Sequence, residues 1–422
     1  MQDSLLDAQC GFRQDRGCND ALFCLKTLFE KAARKQKALH TCFIDITKAY
    51  DSVNRDLAWR VLRHRGVSAK LVDLIMDLHQ DTSCALQANS HDTNSWFPVK
   101  TGFKQGDVLA PLLFNIFIDT IVRSIQPRLC QLGVRWTYNI DGNLQEAQNP
   151  RNEGLTWILM YADDIALITD SEAALQEAVF VVDESFRKWG LIISVKKSKV
   201  LHMQIRGIQS DDPLTITLRG SEIENVHSFK YLGSIYSANL SMQAEVSQRL
   251  ASAGRAFYKL SCMKLWKDYV ISMKTKITLY KVMVQSVLLY GSETWALTEQ
   301  ETNRLEVFQM RCLRRIKGIT LLDRQHNEDI RSSMKIPKIG DVISYRRLRW
   351  LGHIGRMTED RMPQQLLFSK FEGEQGRGRP LKTWSDYVRK DLEDLQILYC
   401  WWRKCQDREH WRKTIDQLLH RT

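Results

Sequence analysis

The chain has 422 residues, enough for a sizeable core and two or three domains, and carries 61 Lys+Arg against 49 Asp+Glu for a net charge of +12. That balance, with a pI near 9.2, points to a polyanionic partner, nucleic acid before any other. No run of about eighteen apolar residues is present, the start lacks a signal-peptide pattern, and the ten cysteines contain no CxxC pair, which implies an intracellular protein with reduced thiols and no membrane partner.

In chain order, Gln9-Cys10-Gly11-Phe12-Arg13-Gln14-Asp15-Arg16-Gly17 reads as a loop. A helix follows over 19–34, with Leu22, Leu25, Leu28 and Phe29 on one face. Residues 41–46 form an apolar strand interrupted by Asp45. Asp51 to Asn54 supplies cap residues for a helix to about His64, ended by Gly66, and another helix spans 69–79. A hairpin at 84–99 leads to a polar loop over 101–107, where glycine permits close backbone approach to a ligand, and then to an apolar helix over 111–125. Residues 134–154 read as a strand or loop excursion. Leu159 to Ile168 holds two apolar runs around Asp163-Asp164, the pattern of a tight hairpin with buried arms. A helix over 171–189 ends at Gly190, and strands at 191–195 and 200–205 flank the basic cluster Lys196-Lys197-Ser198-Lys199. A short hairpin at 214–226 precedes Phe229-Lys230-Tyr231-Leu232-Gly233. Beyond about Ser241 the pattern changes to long helices at 244–260, 270–289 and 299–317, then a helical, Trp-rich stretch. Cys400, Cys405 and His410 match no ordinary zinc spacing.

Burying an ionised carboxylate without a partner costs several kcal/mol, so acids inside apolar strands at Asp45 and Asp163-Asp164 call for a cation or donors. The other reading is acids in a solvated turn. The acid-bearing strands follow one another in a βαβ-like order; if they are neighbours, three carboxylates share one face, as two-metal phosphoryl transfer needs. The residues alone establish only that this is possible.

The order Phe43-Ile44-Asp45-Ile46-Thr47-Lys48-Ala49-Tyr50-Asp51, Lys104-Gln105-Gly106, Tyr161-Ala162-Asp163-Asp164, Trp189-Gly190-Leu191 with Lys197-Ser198-Lys199, and Phe229 to Gly233 resembles the reverse transcriptases of non-LTR (LINE-type) retrotransposons. The resemblance covers about residues 9–235. It implies an α+β right-hand polymerase: partial fingers over 1–40, palm over 41–240, an all-α thumb over 241–319, and a basic helical C-terminal region over 320–422. It implies that Asp45, Asp163 and Asp164 hold two Mg²⁺ ions, with Mn²⁺ able to substitute. Tyr50 would gate the incoming sugar, Gln105 and Gly106 would line the nucleotide pocket, and Lys197 would lie near the triphosphate. Phe229, Tyr231, Leu232 and Gly233 would grip the primer end, and Arg13 and Arg16 would touch template or nucleotide. As plain readings, Tyr50 is core, Lys197 a solvated charge and Gln105 a turn residue.

The implied partners are an RNA template, a DNA primer and deoxynucleoside triphosphates, in nucleus or cytoplasm; the sequence is silent on oligomeric state. Departures from the family pattern are Asp107 after the glycine, Ala110 before Pro111, and Ser194 where asparagine is usual. The start at Gln9-Cys10-Gly11-Phe12 implies a fragment without upstream fingers or endonuclease, or a degenerate copy. The alternative function is a catalytically impaired nucleic-acid-binding fragment. An RNA-templated RNA polymerase shares the acids, but the aromatic Tyr50 argues against it. Leu288-Leu289-Tyr290-Gly291-Ser292-Glu293-Thr294-Trp295 also resembles the C-terminal part of such proteins. Gly376-Arg377-Gly378-Arg379-Pro380 does too, and reads either as a minor-groove hook or as a solvated linker.

Overall fold

The computed structural model describes residues 5–85, 96–104, 106–144, 150–203, 214–374, 376 and 381–420. In chain order, the first part comprises α1 (Cys18–Arg34), β1 (His40–Ile44), α2 (Arg55–His64), α3 (Ala69–His79), β2 (Ser83–Ala85), β3 (Trp96–Pro98), α4 (Ala110–Leu129), β4 (Val134–Tyr138) and β5 (Asn152–Thr156). There follow β6 (Ile158–Tyr161), β7 (Asp164–Thr169), α5 (Glu172–Lys188), β8 (Lys199–His202), β9 (Thr217–Leu218), β10 (Ser221–Glu222), β11 (Ser228–Tyr231) and β12 (Ser234–Ser237). The remainder is helical apart from β13 (Ser369–Lys370): α6 (Gln243–Cys262), α7 (Met273–Leu279), α8 (Ser286–Leu288), α9 (Glu299–Lys317), α10 (Asn327–Met334), α11 (Ile339–Gly355), α12 (Met362–Leu367), α13 (Trp384–Asp394), α14 (Trp401–Gln406) and α15 (Arg408–Asp416).

The central sheet runs β6-β7-β1-β8, and every pairing in it is antiparallel. The βαβ-like order read from the sequence is therefore not a parallel unit; α2 to β6 intervene between β1 and β7, so no single crossover helix sets their direction. Strand side chains alternate between two covered faces. Ile44, Met160, Ile165 and Leu167 pack with Phe114, Phe117, Val179 and Phe186 of α4 and α5. Phe43, Leu159, Ala166 and Ile168 pack with Leu22, Leu25 and Leu28 of α1. Burial on both faces is why these strands read as unbroken apolar runs.

Three expected elements differ. Residues 191–195 form no strand, only an antiparallel bridge between Ile193 and Ile46, because this segment runs past the end of β1. The helix expected over 270–289 starts at Met273 and passes through a π-helical segment, Tyr280–Gln285, since apolar periodicity does not separate an i+4 from an i+5 ladder. The helix expected at 111–125 runs on to Leu129 with Pro127 inside it.

The C-terminal helices do not stand apart. Phe23 of α1 shares a core with Trp350, Trp384, Trp401 and Trp411, and β13 pairs with β4. Lys31 of α1 donates to the carbonyls of Leu367 and Ser369.

At the end of β1 remote from Asp45, His40 and His202 are paired, with rings stacked at 4.7 Å and their Nδ1 atoms 2.9 Å apart. Burial, then the field of His202, pushes His40 from 6.5 down to about 4. Between those values the unfolded chain takes up a proton that the folded chain refuses, so this site contributes a loss of stability as pH falls below about 6.5, each pKa unit being worth about 1.4 kcal/mol. His40→Gln is expected to reduce the drop in melting temperature between about pH 7 and about pH 5. An unchanged drop would locate the acid sensitivity elsewhere.

Candidate active site

The β6–β7 hairpin closes through two residues, Ala162 and Asp163, with Tyr161 opposite Asp164. Such a loop needs a positive φ at its first position, and Ala162 adopts φ 55, a conformation that costs a non-glycine residue roughly 1–2 kcal/mol. The turn is held from outside. Gln9, fully buried, accepts hydrogen bonds at Oε1 from the backbone N–H of Ala162 and of Gly11, both at 2.9 Å, and its Nε2 donates to the Ala162 carbonyl at 3.4 Å. Gln9 also bridges to Met160 in parallel, beside Cys10 N–H donating to the Met160 carbonyl at 2.9 Å. Gly11 comes so close that a Cβ on it would stand 2.5 Å from the Ala162 nitrogen, and buried Asn115 of α4 donates to the Gly11 carbonyl at 2.7 Å.

Asp45 directly follows β1, whose register pairs Ile44 with Ile165 and so brings it alongside the hairpin tip. Its N–H donates to Ser198 Oγ at 3.2 Å, and its carbonyl accepts from Ser194 N–H at 2.9 Å. Asp45 Oδ1 is buried, has no hydrogen bond, and faces the Lys197 ammonium 3.4 Å away. Asp163 is raised by burial, then by the charge of Asp45. Asp164 is pushed up to about 6 by burial, then by Asp163 and Asp45. The charge of Asp45 thus adds to the cost of ionising both hairpin acids, which a cation relieves. Hard oxygen donors of this kind suit Mg²⁺, and Asp45 Oδ1, paired with the Lys197 ammonium but without a hydrogen bond, fits that role. Among the described residues no three His, Cys, Asp or Glu side chains are grouped so that they could hold a metal ion as they stand; the three acids meet through their fields.

Tyr50 stacks on Phe114 with ring centroids 4.5 Å apart, and burial together with the Asp163 charge pushes its hydroxyl up to about 12. Its carbonyl accepts from Phe103 N–H at 2.9 Å, which fastens the loop carrying Gly106 beside it. Gln105 lies outside the described residues. Asp107, the departure after the glycine, accepts the Leu109 N–H at 3.1 Å and lies 3.9 Å from His79 Nε2, so it braces the start of α4.

Phe229 stacks on Phe43 at 4.1 Å and Tyr231 lies 5.3 Å from the same ring, which lays β11 over the α1 side of β1. The β11–β12 hairpin turns through Leu232 (φ 46) and Gly233 (φ 83), and the field of Asp164 reaches Tyr231. The structure therefore gathers Asp45, Asp163, Asp164, Tyr50, Lys197 and the 229–233 hairpin in one region. Arg13 and Arg16 face the protein instead: Arg13 Nη1 donates to the carbonyls of Leu6 and Gln9 at 2.8 and 3.1 Å, and Arg16 is bonded to Asp7. In the sequence Gln9 and Gly11 are loop residues and nothing more. Their one local signal is an amide side chain two residues before a glycine, and the Ala162 that Gln9 bonds lies 153 positions away.

A family model described as reverse transcriptase (RNA-dependent DNA polymerase) matches residues 2–236, more than half of the chain. The chain belongs to the reverse transcriptase family. An RNA-directed DNA polymerase from the mobile element jockey of Drosophila funebris is 27% identical over 343 residues, 79% of this chain and 34% of that protein. A Pol polyprotein from the R2 retrotransposable element of Popillia japonica is 23% identical over 297 residues, 69% of this chain and 38% of that protein. The chain thus spans about a third of the length of these relatives, whose mobile-element origin agrees with the LINE-type resemblance. A transposon-derived protein of Caenorhabditis elegans is 25% identical over 269 residues, 61% of this chain and 94% of its own length. Among solved structures, apo telomerase from Candida tropicalis overlays with a TM-score of 0.44 at 11% identity, covering 98% of this chain and 59% of that one, too loosely to add to the assignment. Reverse transcriptases generally use divalent metal ions and bind a nucleic acid template. No helix among the described residues is long and apolar enough to cross a membrane.

Proposed function

We propose that the chain is an RNA-directed DNA polymerase: on an RNA template, a DNA primer 3′-hydroxyl attacks the α-phosphate of a deoxynucleoside triphosphate and pyrophosphate leaves. The observation that supports this most is the meeting of Asp45 with Asp163 and Asp164 across the β1–β7 pair, with Lys197 and Tyr50 at their side. Two divalent ions held by these carboxylates would supply activation of the hydroxyl and neutralise charge on the triphosphate. The chain's own groups do the positioning. Lys197, largely exposed beside Asp45, offers its ammonium to triphosphate oxygens. Gln105 and Gly106 line the nucleotide pocket, and the 229–233 hairpin carries the primer end. Arg13 and Arg16 act on the template side through the loop they brace. Such substrates place the reaction in nucleus or cytoplasm.

The test is extension of a labelled DNA primer on an RNA template with Mg²⁺ and single nucleotides. Addition of the complementary deoxynucleotide alone is expected. Binding without any addition would favour the catalytically impaired alternative.

Sugar choice supplies a second check. The Tyr50 ring is fixed between Phe114 and the acids, where a 2′-hydroxyl on the incoming nucleotide competes with it for space. Tyr50→Val is expected to raise the ratio of ribonucleotide to deoxynucleotide incorporation by about tenfold or more, the worth of a small steric change in a tight pocket. An unchanged ratio in single-nucleotide extension would make Tyr50 core and nothing else.

A further inference from the structure

The Leu288 to Trp295 motif has no part in the reaction described above, yet the structure seats it behind the Leu232–Gly233 turn. The two loop carbonyls of that hairpin lie beyond the strand ladder and need donors from elsewhere. Tyr290 supplies one: its hydroxyl donates to the Leu232 carbonyl at 2.9 Å. Arg249 of α6 supplies the other, with Nη2 donating to the Gly233 carbonyl, while its guanidinium covers the Tyr290 ring 4.7 Å from the centroid. Arg249 Nε is bonded in turn to Glu245 Oε1 at 2.7 Å, and Glu245 Oε2 accepts the Ile235 N–H at 2.7 Å, so the same ion pair holds β12. Both charges are buried, with side-chain exposures of 9% and 1%. Such a pair is weak as a source of stability and better suited to fixing one arrangement.

The contact is backbone-close on both sides. A Cβ on Gly291 (φ +72) would stand 2.9 Å from Ser234 Oγ, and one on Gly233 would stand 3.2 Å from Tyr290 Cε1. Behind the motif, Arg346 donates to the Leu289 carbonyl at 2.7 Å, Arg347 to the Trp295 carbonyl at 3.2 Å, and Trp384 Nε1 to the Glu293 carbonyl at 2.8 Å. A continuous series of bonds therefore joins the C-terminal helices, the 289–295 segment, helix α6 and the turn.

We propose that Arg249 and Tyr290 are positioning residues for the primer terminus. They set the height of the Leu232–Gly233 turn above the acids, and through the 289–295 segment they couple that height to the thumb and the C-terminal helices. This rests on the polymerase reading and on the 229–233 hairpin meeting the primer. Neither side chain touches the reacting atoms, so their loss changes how often a bound primer lies in register, not the chemistry of those that do.

The test uses the full chain with a primer–template whose 3′-terminal primer base is 2-aminopurine, comparing Tyr290→Phe, which removes one hydroxyl, with Arg249→Gln and the conservative Arg249→Lys. In single-turnover extension, Tyr290→Phe is expected to lower the fraction of bound primer extended by about fivefold, the worth of one neutral hydrogen bond, and Arg249→Gln by more. The rate constant of the productive fraction and the Kd for primer–template stay within about twofold, and Arg249→Lys recovers part of the loss. The terminal 2-aminopurine signal moves toward that of free duplex in step with the lost fraction. Parental amplitude and parental fluorescence in both Tyr290→Phe and Arg249→Gln would overturn the proposal, as would a loss confined to Kd. If the parental chain binds but does not extend, the polymerase reading fails, and the fluorescence arm alone decides whether the two residues place the primer end.

Discussion

Asp163→Asn is expected to abolish primer extension, by on the order of a thousandfold or more, while leaving the fold and the binding of primer–template intact. The asymmetry follows from what holds Asp163. Its turn is fixed by Gln9 and Gly11 through the backbone of Ala162, and its carboxylate takes only its own backbone N–H there, a bond the asparagine oxygen can also accept. The carboxylate is destabilised where it stands, raised by burial and then by the charge of Asp45. Neutralising it removes a like-charge repulsion, so the melting temperature is expected to stay level or rise slightly. Affinity for a polyanion is expected to stay level or rise too, since one negative charge has left the binding face. A carboxylate kept at such a position against its own stability is a mark of function rather than of folding. Extension assays beside thermal melts and fluorescence binding check this. Near-parental extension would remove Asp163 from the site; a fall in melting temperature matching the loss of activity would make its role structural.

The acids were legible because of a local contradiction: charges inside apolar strands ask for a partner whatever the fold. That Asp45 and the hairpin are neighbours was legible only as a condition, and the antiparallel direction not at all, because α2 to β6 separate the two strands in the chain. Tyr50 and Lys197 entered through resemblance, and the structure does set both beside the acids. The hold of Gln9 on the Ala162 turn and that of Tyr290 on the Leu232 turn were not legible. Gln9 reaches Ala162 across 153 positions, and Tyr290 reaches Leu232 across 58, each by one side chain meeting a backbone group, which leaves no periodicity to read. Arg13 and Arg16 illustrate the converse. Their template or nucleotide role came from the resemblance alone, whereas the carbonyls they satisfy in this loop, as a guanidinium with five donors can, carried no sign in the sequence. The hook or linker alternatives for Gly376 to Pro380 fall mostly on 377–380, outside the described residues.

Trp384→Ala is expected to weaken the whole assembly, not the C-terminal region alone. The sequence marks 320–422 as a basic, helical, Trp-rich region. In the structure Trp384 is 2% exposed and lies edge-on to Phe23 of α1, with ring centroids 4.9 Å apart. Its N–H donates to Glu30 Oε2 at 2.7 Å and its Nε1 to the Glu293 carbonyl at 2.8 Å, so it ties α1, the 289–295 segment and α13 together. Truncating a buried Trp costs roughly 3–5 kcal/mol from lost contacts and the cavity left behind. Glu30 adds to this. Burial raises its carboxyl to about 7, and α13 supplies the backbone donor that favours its charged form; loosening α13 would leave that charge less well met. Helix α1 also follows directly on the loop that carries Gln9, so its displacement would reach the Ala162–Asp163 turn. At about 2–4 °C per kcal/mol, the loss corresponds to a fall in melting temperature on the order of ten degrees, with extension weakened at temperatures where Tyr399→Ala, at a fully exposed position, behaves as the parent. A melt for Trp384→Ala within about two degrees of the parent would show that the C-terminal helices are held to α1 by the remaining contacts, chiefly Arg361 with Asp20 and Lys31 with Ser369.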